Sequence, residues 1–250
     1  MNISFLKAQT AEQQQAVNVF LERHNQRGRG STKGYVAYFA AIYPPDGRTL
    51  LERMIAVAKF CPLHTPAAAR FFAGEAWRHV YGLQRLAANH PPENLLSRFV
   101  GWCLREMGRD GKVWYVATYA DAGSLDTRTG RPHSGGIYRA TNAVYCGMSQ
   151  GGHVEAYLLA GQRRSLRCGP KTLRLRDLPP EARLIRSQAK HRYCWAVGPP
   201  LKRVFRLRHL KHRMQRFQFE PVYQPRLLCT LINQLRRVIR KDPDYAQSLD

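Results

Sequence analysis

Acidic residues are scarce in this chain. Its 250 residues hold 17 Asp and Glu against 40 Lys and Arg, a formal charge of +23. The imbalance excludes a generally acidic surface and points to a polyanionic partner, most simply nucleic acid. The shortage is also uneven. Residues 151–250 carry 22 of the Lys and Arg but 7 acids, and residues 182–219 carry 11 Lys or Arg and no acid. Long apolar runs are lacking as well. None approaches the roughly 18 residues of a membrane span, so no membrane partner is expected. No signal-peptide pattern heads the sequence. The six Cys form no C-x-x-C and no zinc-ligand spacing, which excludes a disulfide framework or a zinc site and reads as reduced, mostly buried thiols of an intracellular protein. No internal repeat or long low-complexity segment is visible. At 44% hydrophobic the chain has enough apolar material for one large domain or two small ones.

The periodicities predict a helix over residues 10–24, a basic Gly-rich turn over 27–30, and a strand over 34–43. A turn at 44–47 leads to an antiparallel strand over 51–60. Residues 62–76 read as a loop with a short helix at 66–72, and 77–87 as a strand. Pro91, Pro92 and Glu93 open a helix on which Leu95, Leu96, Phe99, Val100, Cys103, Leu104 and Met107 recur at helical spacing. Strands are expected over 113–120, 153–159 and 190–197, the last two completing the central sheet. Helices are expected over 137–145, 201–217 and 226–240. The order is that of a mixed α/β (α+β) protein.

The richest stretch runs from Lys112 to Gly147. It reads KVWYVATYAD, then a Gly-, Ser- and Thr-rich loop, then HSGGIYRATNAVYCG. A buried-type strand ends on one carboxylate, Asp121. A loop carrying His133 follows, and then a short amphipathic segment. A carboxylate at the carboxyl end of a strand, beside a variable loop, is where open α/β sheets place chemistry.

This segment resembles the Mom family of phage DNA-modification proteins. The resemblance rests on Thr118-Tyr119-Ala120-Asp121, on His133-Ser134-Gly135-Gly136-Ile137-Tyr138-Arg139-Ala140-Thr141-Asn142, and on Tyr145-Cys146-Gly147. Flanking matches lie at Arg85-Leu86, at Pro92-Glu93-Asn94 with Ser97 and Phe99, and at Lys190-His191-Arg192-Tyr193 with Gly198. It covers about residues 15 to 225. Three departures stand out: Thr118 in place of Ser, Ala143-Val144 in place of an aromatic, and a longer loop between Asp121 and His133. The resemblance implies a GNAT-like (acetyltransferase-like) fold, with a mostly antiparallel central sheet flanked by helices. It also implies conversion of adenine in DNA to N6-(carbamoylmethyl)adenine, which protects phage DNA from host restriction. The expected location is then the host-cell cytoplasm. The expected division is a catalytic domain over 1–198 and a basic helical extension over 199–250, packed on the same domain.

Asp121 is the candidate to orient or deprotonate the adenine N6 amine; capping of the following loop is the plainer reading of an Asp there. Arg85 is a candidate for an anionic donor or a phosphate, against an ordinary ion pair. Ser97 and Tyr138 complete the catalytic set. Tyr119, His133, Asn142 and Tyr145 are candidates to hold a flipped base of double-stranded DNA. On the 201–217 helix, Leu207, Leu210, Met214 and Phe217 should face the core. Arg203, Arg206, Lys211, Arg213 and Arg216 should then face outward toward phosphates. For the cofactor, an acyl-coenzyme A, another small carbon donor and an iron ion held by His24 and His133 with tyrosines all stay open, the iron being implied by the resemblance alone. The loop at 86–94 has no Gly and two Pro where acyltransferases of this fold carry a Gly-rich pyrophosphate cradle, which argues against coenzyme A in its usual mode. Two alternatives stand beside DNA modification: an N-acyltransferase acting on an amine or RNA, and a non-catalytic nucleic-acid-binding module.

Overall fold

A computed structural model describes residues 2–25, 30, 34–43, 47–63, 65–121, 135–149, 152, 154–165, 167–168, 171–172, 174–186 and 188–217. The expected 226–240 helix and most of the 122–135 loop lie outside them. β1 (Asn2–Lys7), unforeseen in the sequence, leads into α1 (Ala11–His24). Thr10 caps α1: its hydroxyl accepts the Gln13 N–H, and the Gln13 side chain accepts the Thr10 N–H, both at 3.2 Å. This capping box satisfies two N-terminal donors at once.

β2 (Val36–Tyr43) is followed by α2 (Leu50–Arg53) and β3 (Met54–Pro62). The apolar pattern alone places the start of this strand at 51. A second capping box, Thr49 with Glu52, instead draws Leu50–Arg53, and with it the first three residues of the expected strand, into a helical turn. Next come α3 (Pro66–Ala73), a 3₁₀ segment (Gly74–His79), β4 (Val80–Ala88), α4 (Leu95–Arg109) and β5 (Tyr115–Asp121). The expected 137–145 helix is corrected to α5 (Gly136–Ala140) followed by β6 (Val144–Met148). The Thr141 hydroxyl folds back on the carbonyls of Ile137 and Tyr138, at 3.0 Å each, and Asn142 takes φ 64°. That left-handed residue stops the helix and releases Val144 and Tyr145 into a strand that suits them.

The chain continues with β7 (Val154–Leu159), β8 (Gln162–Ser165), β9 (Arg167–Cys168), β10 (Lys171–Thr172), a 3₁₀ turn (Leu175–Asp177), β11 (Arg183–Arg186), β12 (Lys190–Ala196) and α6 (Pro200–Gln215). Among the described residues the central sheet runs β1-β2-β3-β4-β5-β12-β6. β1 to β4 are antiparallel neighbours, and β4 with β5 is a parallel pair. Three antiparallel strands, a long helix and a parallel strand are the expected mixed α/β arrangement. β12 joins this sheet as expected. β7 does not; it pairs with β8 and β11 in a separate sheet.

The chain divides into two compact units. One comprises Met1–Thr118, Gly136–Cys146 and Tyr193–Asp250; the other comprises Tyr119–Gly135 and Gly147–Arg192. α6 therefore belongs to the unit that holds most of the central sheet. In that unit α1 covers one sheet face with Val17, Phe20 and Leu21 against Phe39, Val57 and Ala87. On the other face, α4 sets Phe99 5.4 Å from Phe5 and Trp102 5.6 Å from Tyr38. Full burial of a side chain such as Phe39 or Phe99 contributes about 1.5–3 kcal/mol.

Burial also sets an alkaline limit on this unit. The Tyr115 hydroxyl is pushed up to about 12 by desolvation, and burial pushes the Cys103 and Cys194 thiols well up. A phenol whose folded value is raised binds its proton more tightly when folded. Its stabilisation is intact below the unfolded value of about 10 and is lost as pH climbs toward 12. The urea midpoint should fall across that window. Tyr115→Phe should flatten the fall; an identical pH profile in the variant would remove Tyr115 as its source.

Candidate functional site

β4 and β5 pair only through Val80–Tyr115, Tyr81–Val116 and Gly82–Ala117, then part. At the fork the buried Thr118 hydroxyl donates to the Leu83 carbonyl at 3.4 Å. Thr118 also hydrogen-bonds Tyr138 of α5; burial pushes the Tyr138 hydroxyl up, against the downward pull of that bond. Tyr138 lies 5.4 Å from Tyr193 and 5.7 Å from Trp195, and Tyr145 lies 5.4 Å from Tyr193. The Trp195 indole N–H donates to the Thr141 carbonyl at 3.1 Å. An aromatic cluster from α5, β6 and β12 is thus tied to the strand fork by one Thr–Tyr hydrogen bond.

On the α1 face of the same unit, the pairing shifts at Lys59–Arg85 and Phe60–Leu83, which makes Gln84 the extra residue of a β-bulge. Lys59 is fully buried; its Nζ donates to Asn18 Oδ1 at 2.9 Å and sits 3.8 Å from the centre of the Tyr35 ring. Arg85, half-buried and directly opposite, donates to the Gln84 carbonyl at 2.7 Å. Like charges opposite each other on a sheet repel. Gly30, at φ 71°, packs on Gln84 and Arg85, and a Cβ there would lie 2.9 Å from Gln84 Oε1 and 3.2 Å from Arg85 Cγ. A cavity of about 530 Å³ opens along α1, with Gln14, Asn18, Glu22 and Tyr35 in its wall. Two of those residues are the ones that hold Lys59.

β5 ends at Asp121, as the motif reading expects. The Asp121 side chain, and the whole of His133, lie outside the described residues. Tyr119 is half-buried on β5. Tyr138 is 8% exposed, so it sits in the cluster rather than at an open surface. Tyr145 is half-buried on β6, and Asn142 is exposed in the turn before it. The helix expected over 137–145 therefore does not carry Tyr145, and Asn142 lies in the turn that ends it. The Ser97 hydroxyl donates to the Asn94 carbonyl at 3.0 Å, closing the first turn of α4. His24 ends α1, exposed, 4.5 Å from the Phe20 ring. Sequence reasoning missed Lys59, Tyr193 and Trp195. A lone Lys inside the apolar run Met54–Pro62 was the available signal for the first.

α6 corrects a further expectation. Leu207, Leu210 and Met214 are buried as foreseen, but Phe217 is 43% exposed and packs 5.0 Å from Phe71. Arg203, Arg206, Lys211 and Arg213 do not project freely outward; all four are half-buried on the helix flanks. Arg206 donates to the Val197 carbonyl at 2.6 Å and stacks 4.7 Å from the Trp114 ring. Arg213 donates to the carbonyls of Phe71 at 2.8 Å and Arg70 at 2.7 Å. Burial and the neighbouring Arg105 charge lower the Arg203 value. Arg206→Gln and Arg213→Gln should each lose about 1–2 kcal/mol of stability, because charge-assisted bonds to backbone acceptors disappear. Urea unfolding measures this; unchanged midpoints would return both side chains to the solvent.

The described residues offer coenzyme A little of its usual cradle. Pro91 and Pro92 supply no N–H, Leu95 N–H is spent on the Pro92 carbonyl at 3.1 Å, and the Asn94 side chain does not cap α4. His90 (φ 43°) and Asn94 (φ 59°) are both left-handed there, a cost of about 1–3 kcal/mol each. Among the described residues no three His, Cys, Asp or Glu side chains converge on a position fit for a metal ion. No helix among them is long and apolar enough to cross a membrane.

Residues 6–217 match the model of the Mom protein family. No curated protein matches the chain. Among solved structures, it is similar to the IAA acetyltransferase from Bacillus cereus, at 6% identity and a TM-score of 0.40, over 78% of this chain and 100% of that one. It is also similar to RimL, a ribosomal L7/L12 α-N-protein acetyltransferase in complex with coenzyme A, at 12% identity and a TM-score of 0.33, over 72% and 67%. Likeness at these scores carries no argument about activity. The fold rests on the strand order.

Proposed function

Because the chain belongs to the Mom protein family, we propose that it is a transferase that modifies the N6 amine of adenine in DNA, producing N6-(carbamoylmethyl)adenine and shielding the DNA from restriction. The observation that carries this is the match over residues 6–217 together with a strand that ends on Asp121.

The amine of a paired adenine is held within the stack, so the base must swing out of the duplex. The N6 lone pair then attacks an electrophilic carbon of the donor, a new N–C bond forms, and the donor's leaving group departs with its electron pair. Asp121 takes the proton that N6 sheds. Arg85, beside the buried Lys59, supplies positive charge for an anionic part of the donor. Among the described residues no three His, Cys, Asp or Glu side chains converge, His133 lies outside them, and no step runs through iron. With the 86–94 loop poor in donors, the carbon source is a molecule other than coenzyme A bound in its usual manner.

The test is mass analysis of nucleosides from DNA and RNA of cells expressing the chain. The carbamoylmethylated deoxyadenosine is expected in DNA. An acyl group found on RNA or on an amine instead would establish the acyltransferase reading. DNA binding without any modified nucleoside would leave a binding module.

A further inference from the structure

α6 exposes a band of side chains on the side away from its buried stripe. Lys202, Phe205, Arg208, His212 and Arg216 follow one another at spacings of three and four, and all five are exposed, Phe205 to 63%; His209, also exposed, is hydrogen-bonded to the Tyr115 hydroxyl at 3.2 Å. Such spacing keeps residues on one helix face. A large exposed aromatic among cations is a poor surface for water alone and a familiar one for nucleic acid, where charge meets phosphate and rings meet sugars and bases.

The row does not stand alone. At the carboxyl end of α6, Arg213 reaches across to the backbone at Arg70 and Phe71 at the end of α3. Phe217 packs on Phe71 at the same corner. Immediately beyond, the exposed Arg70 and Arg78 sit 5.6 Å and 5.2 Å from the Trp77 ring. Cation–ring stacking of this kind fixes a guanidinium without consuming its hydrogen-bond donors. Both sequences that form the corner are starved of acids. Residues 182–219 contain none, and residues 54–92 contain only Glu75. Cations within α6 thus have no acid at i±3 or i±4 to neutralise them, while Arg216, just past its end, has Glu220 four positions on.

We propose that the exposed row and this corner together, Lys202 on α6 and Arg216 at its carboxyl cap with Arg70 and Arg78 around Trp77, are the surface that grips the phosphate backbone of duplex DNA. It refines the proposed function by naming a DNA-holding face apart from the strand fork and from Asp121, and it rests on that reading for the identity of the polyanion. Arg206 and Arg213 are its scaffold, spent on backbone carbonyls, and the row on the opposite face of the helix does the holding.

Duplex affinity is measured by fluorescence anisotropy on the full chain across a salt series. Arg70, Arg78, Lys202 and Arg216 are replaced together by Gln. A control with the same loss of charge replaces the exposed Lys7, Arg105, Arg109 and Arg183. The corner variant should bind at least tenfold more weakly, and its slope of log K against log salt should be shallower by about 3.6, roughly 0.9 for each of the four phosphates no longer neutralised. The control should keep most of its slope, and Arg70→Lys with Arg78→Lys and Arg216→Lys should restore it. Should the fourfold variant unfold, Arg70→Gln and Arg216→Gln singly should each shift the slope by about 0.9. An unchanged slope, or an equal change in the control, overturns the proposal. None of these readouts requires a modified base, so failure of the DNA-modification reading shows separately, as unmodified nucleosides in cells expressing the parent chain.

Discussion

Asp121→Asn is expected to remove the modified deoxyadenosine from the DNA of expressing cells while leaving the protein folded and its duplex affinity unchanged. The substitution keeps size and shape at the last residue of β5. It keeps a hydrogen-bond acceptor that could still greet the adenine amine. It removes only the ability to take up a proton as the N–C bond forms. Loss of a positioned general base costs about 10²–10⁴-fold in rate, enough to push product below detection in an overnight culture. A carboxylate that merely caps the next loop predicts something else: a lower unfolding midpoint with product yield falling in step. Nucleoside mass analysis, anisotropy and thermal unfolding on one preparation separate the two. Full product yield from the variant would end the assignment of Asp121 as base.

The parts that could be read from the sequence were those whose cause is local. α4 announces itself through seven apolar positions at helical spacing, and β5 through a short apolar, aromatic run that ends on a carboxylate. The errors arise where local pattern and the actual chain path diverge. Ile137, Ala140, Val144 and Tyr145 satisfy helical spacing, yet one left-handed residue at Asn142 divides them between a helix and a strand. β7 has the look of a central strand, but the choice of sheet depends on β8 and β11, which no periodicity reports. The α6 stripe was right except at Phe217, and its cations, Arg216 apart, were wrong, for a reason specific to arginine. The side chain is long and carries five donors, so Arg206 and Arg213 turn from the flank to carbonyls at Val197, Phe71 and Arg70. Sequence distance hides such partners. Lys59 is hidden similarly, since its burial is made tolerable by Asn18 and Tyr35, which meet it from elsewhere in the chain.

The packing least readable from sequence carries the largest stability prediction. Gly108, in the last turn of α4, lies against Gly198, ninety positions away in the sequence. A Cβ at Gly108 would land on the Gly198 backbone nitrogen, 2.8 Å from its Cα and 3.3 Å from the Val197 carbonyl carbon. No rotamer relieves a clash with backbone. Gly198 cannot yield, because its φ of 118° suits glycine and the Arg206 guanidinium fills the space where its own Cβ would stand. That guanidinium is in turn fixed to the Val197 carbonyl, so the two glycines, Arg206 and the start of α6 form one seat. Gly108→Ala should therefore cost about 3 kcal/mol, the upper end for overpacking, and lower Tm by about 6–12 °C for a chain of this size. The adjacent control has the opposite sign. Gly101 lies in the same helix with only the end of the Arg105 side chain near its Cβ position, at 3.9 Å. Gly101→Ala should thus stabilise by about 0.5–1 kcal/mol through helix propensity. Thermal unfolding of the pair decides the matter: if Gly108→Ala is as stable as Gly101→Ala, α4 and the turn into α6 do not meet backbone to backbone.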